Sequence, residues 1–161
     1  MSALPYLVPV ISSTCSLYFA WDQLFFLRIF LKKDVVLHGN RLQAAYWQSF
    51  FPAASPIIIG LIAVTSGSSL TLLRTSADAL QQNGAYNWYL AGGAFALCHF
   101  FWVPPIWPVI NKLQDGKKDV DKGAETLNRW LNIHLTRFMS VDIACFVSCL
   151  VGAVKVLSVQ Q

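Results

Sequence analysis

Trp130, His134 and Arg137 stand at i, i+4 and i+7 in a stretch, 127–157, that is otherwise largely apolar. At 100° per residue they share one helical stripe about 60° wide. An imidazole titrates near working pH and can take a proton from a weak carbon or oxygen acid. A guanidinium can hold the resulting anion, and an indole stacks on a planar ligand. Burying ionisable groups in a bilayer costs several kcal/mol unless they are paired or hydrated, so each marks a functional site by default. The stripe continues through Val141, Cys145, Ser148 and Gly152. Small residues there allow close helix contact, so this face is expected to point into a bundle.

Other polar groups interrupt the apolar stretches. A rise of ~1.5 Å per residue puts Arg28 ~5 Å below the basic surface, Tyr46 and Gln48 ~8–10 Å, His134 ~10 Å, Asp22 and Arg137 ~15 Å and His99 ~17 Å. Groups from four helices thus converge in one half of the membrane, which implies a polar pocket opening toward the cytosol. Asp22 and Arg137 share a depth and have opposite signs, so a buried ion pair between them is expected. The plainer alternative is that this pair only fixes helix register. His134 and His99 have a plainer alternative too, as satisfied interior histidines. Asp142 lies about 140° from Arg137 on an α-helical wheel and needs a different partner, such as His99 or a hydroxyl. A haem held by His99 and His134 is geometrically conceivable, but nothing else in the sequence supports it.

The elements that must position these groups are four apolar helices. The chain has 161 residues, 55% hydrophobic and 12% charged, with mean hydropathy +0.49. A soluble domain carries about 25% charged residues. The fold class is therefore all-α, an integral membrane four-helix up-and-down bundle forming a single domain over 1–161. Its helices are expected at about 4–31, 41–73, 86–110 and 127–157, joined by cytosolic loops at 32–40 and 111–126. The first apolar stretch is too long, and lacks the basic start, for a signal peptide, so it reads as a retained span. Pro52 and Pro56 are expected to kink the second helix or mark its start. Pro104, Pro105 and Pro108 are expected to bend or break the end of the third. Cys15, Cys98, Cys145 and Cys149 all fall inside spans without CxxC or metal spacing, and read as packing residues. No metal site is expected.

Eight basic residues (Lys32, Lys33, Arg41, Lys112, Lys117, Lys118, Lys122 and Arg129) lie around the first and third connections, against two, Arg74 and Lys155, on the other side. The positive-inside rule then places both basic loops in the cytosol and both termini on the non-cytosolic side, in the endoplasmic reticulum membrane if the cell is eukaryotic. The net charge of +4 is loop asymmetry, with at most weak attraction to anionic lipid, and no nucleic-acid partner is implied. The expected partners are the bilayer and a hydrophobic small-molecule substrate. A homo-oligomer is left open. Trp21, Tyr46, Trp47, Phe50, Phe51, Trp102, Trp107 and Trp130 fit either an interfacial belt or an aromatic-lined pocket.

The pattern Trp130-x-x-x-His134-x-x-Arg137, preceded by Asn128, resembles the last span of the small four-helix anthrone oxygenases of polyketide pathways. Pro108-x-x-Asn111-x-Leu113 is similar to the same family, as are the length and four-span layout. The resemblance covers best the stretch from Trp88 to Leu157, and Asp22 and Asp142 fall outside it. It implies an oxygenase without cofactor: a base deprotonates an activated CH2 of a polycyclic aromatic polyketide, and the electron-rich anion reacts with dioxygen to give a peroxide that collapses to quinone and water. On that reading His134 is the base, Arg137 and Asn111 hold the oxyanion, and Trp130 stacks on the substrate.

The residues themselves leave other functions open. An acid–base pair in an aromatic cavity also suits a cofactor-free cyclase or isomerase of a polyketide or terpenoid intermediate, with Asp22 or Asp142 as the acid. A non-catalytic tetraspan scaffold is the third possibility. The candidate catalytic residues are thus His134, Arg137 and Asp22, and the candidate substrate-binding residues Trp130, Asn111, Tyr46, Gln48 and His99.

Overall fold

The computed structural model describes residues 3–115 and 122–158, those at 37–41 by backbone alone. The described residues are helical almost throughout. Helix α1 (Leu4–Leu27) ends in a 3-10 turn, Arg28–Leu31, and α2 runs Val36–Thr75. A short α3 (Ala77–Gln82) leads to α4 (Tyr86–Cys98), then a 3-10 turn His99–Trp102 and α5 (Val103–Asp115). Helix α6 (Gly123–Arg137) continues through a π-helical turn, Phe138–Asp142, into α7 (Ile143–Leu157). Four segments are long and apolar enough to cross a membrane: Leu4–Leu31, Leu42–Thr75, Tyr86–Asp115 and Gly123–Leu157.

Each span packs on its sequence neighbours, and the fourth closes the ring on the first. The result is the expected all-α bundle of four apolar helices. Its outer surface is greasy: Tyr18, Phe25, Ile57, Phe101 and Met139 are all more than half exposed. In water that surface would drive aggregation; in a bilayer it is the lipid face.

The helices are longer than expected and their connections shorter. Helix α2 begins at Val36, which cuts the first connection to 32–35. It also runs unbroken through Pro52 and Pro56. The third span continues to Asp115 because Ile106, Val109, Ile110 and Leu113 keep helical spacing and bury against Leu127 and Leu131 of α6. Its break falls before the prolines, as the 3-10 turn at 99–102. Pro104 and Pro105 then sit in the first turn of α5, where no backbone donor is required. Lys117, Lys118, Asp119 and Asp121 lie outside the described residues.

Two packing regions divide the bundle. One half is aromatic and aliphatic, built from Leu24, Leu27, Trp47, Ile110, Leu127, Trp130 and Phe138. The other is closed by small residues: a Cβ on Gly92 would lie 2.5 Å from Cys149 Sγ, and one on Gly152 would lie 3.1 Å from the Tyr89 ring. Tyr89 is fully buried and donates its hydroxyl to the Tyr6 carbonyl at 2.8 Å. At the end of α3, Gly84 takes φ +63°, which lets Ala85 N–H reach back to the Leu80 carbonyl.

Candidate active site

The stripe on the fourth span is buried along its whole length: Trp130, His134, Arg137, Val141, Cys145, Ser148 and Gly152 all face the interior. Its geometry changes once. Ile143 N–H bonds the Phe138 carbonyl, five residues back, where an α-helix would reach four. A π turn takes in roughly one more residue than an α turn and brings i and i+5 onto one face. Arg137 and Asp142 are therefore neighbours, with Arg137 Nε donating to Asp142 Oδ2 at 3.3 Å.

His99 completes a closed set. Arg137 Nη1 lies 3.0 Å from His99 Nε2, and a guanidinium can only donate, so Nε2 is the acceptor. The ring proton then sits on Nδ1, 3.5 Å from Asp142 Oδ1. One carboxylate thus faces a guanidinium and an imidazole, all three residues buried. The 3-10 turn between α4 and α5 supplies His99, and the π turn supplies Asp142. Both irregular turns serve this one contact. Beside it, Ser13, Ser16, Thr65 and Cys145 line a cavity no larger than about one water molecule.

The expected Asp22–Arg137 pair is not formed. Arg137 is taken by Asp142 and His99, while Asp22 is half-buried and makes no ion pair with any described residue. The reason is the π turn: a uniform α-helical wheel rotates Asp142 away from Arg137, and the actual backbone rotates it back.

His134 lies one turn closer to the aromatic half and is completely buried. Its Nε2 is 3.0 Å from the Ala20 carbonyl of α1. A carbonyl only accepts, so this nitrogen carries a proton, and in a ring kept neutral by full burial Nδ1 keeps its lone pair. That Nδ1 has no hydrogen-bond partner. The Trp130 ring stacks on the imidazole, with centroids 4.5 Å apart and planes 14° off parallel. Trp47 of α2 meets Trp130 edge-on at 5.0 Å.

The remaining candidates are dispersed. Tyr46 stacks on Phe50 at 5.2 Å and touches Phe30 and Trp47, one layer behind Trp130. Gln48 is exposed and donates to the Gln114 carbonyl at 2.9 Å, tying α2 to α5. Asn111 is exposed on α5 and makes no side-chain hydrogen bond among the described residues, so it is not drawn into the His134 cluster. The structure therefore brings together Trp130 with His134, and Arg137 with His99, but leaves Asp22, Gln48 and Asn111 apart from both.

The expected alternative partner of Asp142, His99, is the one it meets, and Trp47, expected in a belt or a pocket, lies against Trp130; the group that escaped sequence reasoning is Gln43. Gln43 is 3% exposed and neither end of its amide has a partner among the described residues. Gln43-x-x-x-Trp47 repeats the spacing of Trp130-x-x-x-His134, a polar group one turn from an indole on an apolar helix. That repetition was the available signal. Among the described residues no group of three or more His, Cys, Asp or Glu side chains could hold a metal ion.

No family model matches the chain, and no solved structure matches it. Over 94% of its length it is 27% identical to a probable epoxidase, scpX, of Mollisia scopiformis, of which it covers 94%. It is 25% identical to epoxidase pydX of an Acremonium species and 23% identical to epoxidase gkaX of Penicillium citrinum, in each case over 94% of this chain and 93% of the other. The homology spans all four membrane helices. It runs to fungal proteins named epoxidases, and none of these three is named an anthrone oxygenase, a cyclase or an isomerase.

Proposed function

We propose that this protein is a membrane-embedded oxygenase of a lipophilic natural-product intermediate, and that the oxygenation is an epoxidation. The observation that carries the reading is His134: a fully buried imidazole whose Nε2–H is committed to Ala20 and whose Nδ1 lone pair is uncommitted, stacked under Trp130. Similarity along 94% of the chain to three proteins named epoxidases supplies the reaction class.

Epoxidation of a carbon–carbon double bond by dioxygen places one oxygen atom on the substrate and releases the other as water. The balance requires a donor of two electrons and two protons, of the hydroquinone or reduced-nicotinamide class. His134 then acts on protons: its Nδ1 accepts one and returns it to the departing oxygen. Trp130 and Trp47 give a π face to an unsaturated substrate. The His99–Arg137–Asp142 set, one turn deeper, fixes a cationic group at the inner wall, where negative charge on reduced oxygen is stabilised in a dry site.

A second reading keeps the same base for a different substrate, an activated CH2 of a polycyclic aromatic polyketide oxidised to a quinone. The free Nδ1 favours it equally, because that reaction needs a base and dioxygen but no added reductant: CH2 and O2 give C=O and H2O. Purified protein in nanodiscs, incubated under labelled dioxygen with alkene-bearing or CH2-activated lipophiles, separates the two. An epoxide carrying one labelled oxygen, formed only with reductant, supports epoxidation. A labelled carbonyl formed without reductant supports the second reading. Turnover under strict anaerobiosis rejects both.

A further inference from the structure

Four buried side chains in the aromatic half share one property. Gln43 Nε2 and Oε1, Trp47 Nε1, Trp130 Nε1 and His134 Nδ1 are all buried polar atoms with no hydrogen-bond partner among the described residues. None of the four residues is more than 3% exposed. Buried polar groups in proteins are nearly always paired, because leaving one unpaired forfeits its hydration. The four are contiguous: His134 stacks on Trp130, Trp130 meets Trp47, and Gln43 sits one helical turn before Trp47 on the same face of α2. Five unmet atoms on neighbouring side chains are poorly explained by packing. Leucine or phenylalanine would fill the same space without the cost.

The chemistry of these groups is specific. Two indole N–H groups and the Gln43 amide NH2 can only donate; Gln43 Oε1 and His134 Nδ1 can only accept. None of the four carries a charge: Gln43 and the two indoles are neutral, a fully buried imidazole with no anionic partner stays neutral, and the nearby Arg137 is already engaged by Asp142 and His99. An ionised ligand head would be stranded there. We infer that Gln43, Trp47 and Trp130 together recognise the polar head of the substrate, beside the His134 base, and that this head is an uncharged group that carries an N–H or O–H beside a carbonyl oxygen, as in an amide or an enolised dicarbonyl. This deepens the oxygenase reading and rests on it, since it takes the His134 site as the substrate site.

A groove lies on the outer face of the same half of the bundle. Trp21, Leu24, Phe25, Arg28 and Leu135 line its volume of about 310 Å³ between α1 and α6. Its lining residues Trp21 and Leu135 directly follow Ala20 and His134, the two partners of the hydrogen bond between α1 and α6.

The test is binding without dioxygen, read from tryptophan fluorescence of the full-length protein in nanodiscs. The probes share one alkenyl chain: oleamide, N,N-dimethyloleamide, methyl oleate and oleate. Oleamide is expected to bind about tenfold more tightly than the dimethyl amide or the ester, the worth of one good hydrogen bond. In Gln43→Leu that preference shrinks to within about threefold, while the thermal midpoint of the ligand-free protein holds or rises, because an unmet polar group is gone. If Gln43→Leu does not fold, Trp47→Phe, which removes only the indole donor, decides by the same ratio. Equal affinity for all four probes overturns the inference, as does tightest binding of oleate. So does a Gln43→Leu protein that keeps the oleamide preference with a lowered midpoint. Labelled-oxygen incorporation with no selectivity among these probes would sink the recognition site and leave the oxygenase standing. Selectivity without oxygen incorporation by any substrate would do the reverse.

Discussion

Arg137 and Asp142 are five residues apart on one continuous helix and are joined at 3.3 Å because the turn between them is π-helical. A buried ion pair contributes little net stability, but removing one partner strands the other charge, at a cost of about 3–5 kcal/mol. Asp142→Ala is therefore expected to lower stability by roughly that amount in equilibrium unfolding in detergent. The double variant Arg137→Ala with Asp142→Ala recovers much of the loss. Strict additivity of the two single variants would show that the pair is not energetically coupled.

That pair also marks where the sequence stopped being legible. Hydropathy and the spacing of Trp130, His134, Arg137, Val141, Cys145, Ser148 and Gly152 were enough to identify four apolar helices and the inward face of the last. Both depend only on regular helical geometry. The partner of Arg137 depends on a local departure from it, and Phe138-Met139-Ser140-Val141-Asp142 contains no proline or glycine to announce one. Asp22 was preferred as partner on equal depth and opposite charge, and neither says which way a side chain points. The free nitrogen of His134 was likewise invisible, because it follows from a backbone carbonyl, that of Ala20, 114 residues away.

Glycine substitutions test the closely packed half. Gly92→Ala would set a methyl 2.5 Å from Cys149 Sγ, so it is expected to destabilise by about 1–3 kcal/mol through overpacking. Gly67→Ala meets nothing within 4 Å and is expected to be neutral or to stabilise by about 0.5–1 kcal/mol. Thermal midpoints of the two variants in the same detergent check the contrast. The same response at both positions would mean that the helices do not approach each other at Gly92.

The orientation expected from charge is open to test. The basic asymmetry predicts Lys33 in the cytosol and Gln82, on α3, on the opposite side. Both side chains are exposed. With Cys15, the one exposed native cysteine, replaced by serine, single cysteines at 33 and 82 are expected to react with an impermeant maleimide from opposite faces of sealed vesicles. Labelling of both from one face would reject the up-and-down topology.

His134 carries the functional reading, and its replacement is the sharpest test. The imidazole offers one free lone pair in a site without solvent exposure, flanked by Trp130 and anchored through Ala20. General-base catalysis is typically worth 10²–10⁴-fold, so His134→Ala is expected to lower turnover by about that factor. His134→Gln is the companion variant, since its amide can still donate to the Ala20 carbonyl while offering no comparable base. If the imidazole only braces α6 against α1, His134→Gln retains both stability and rate. If it moves protons, His134→Gln keeps the thermal midpoint near wild type and loses turnover almost as completely as alanine. Measured side by side on folded protein, a wild-type rate in His134→Gln would remove the base from this site and pass the role to His99 or Asp142.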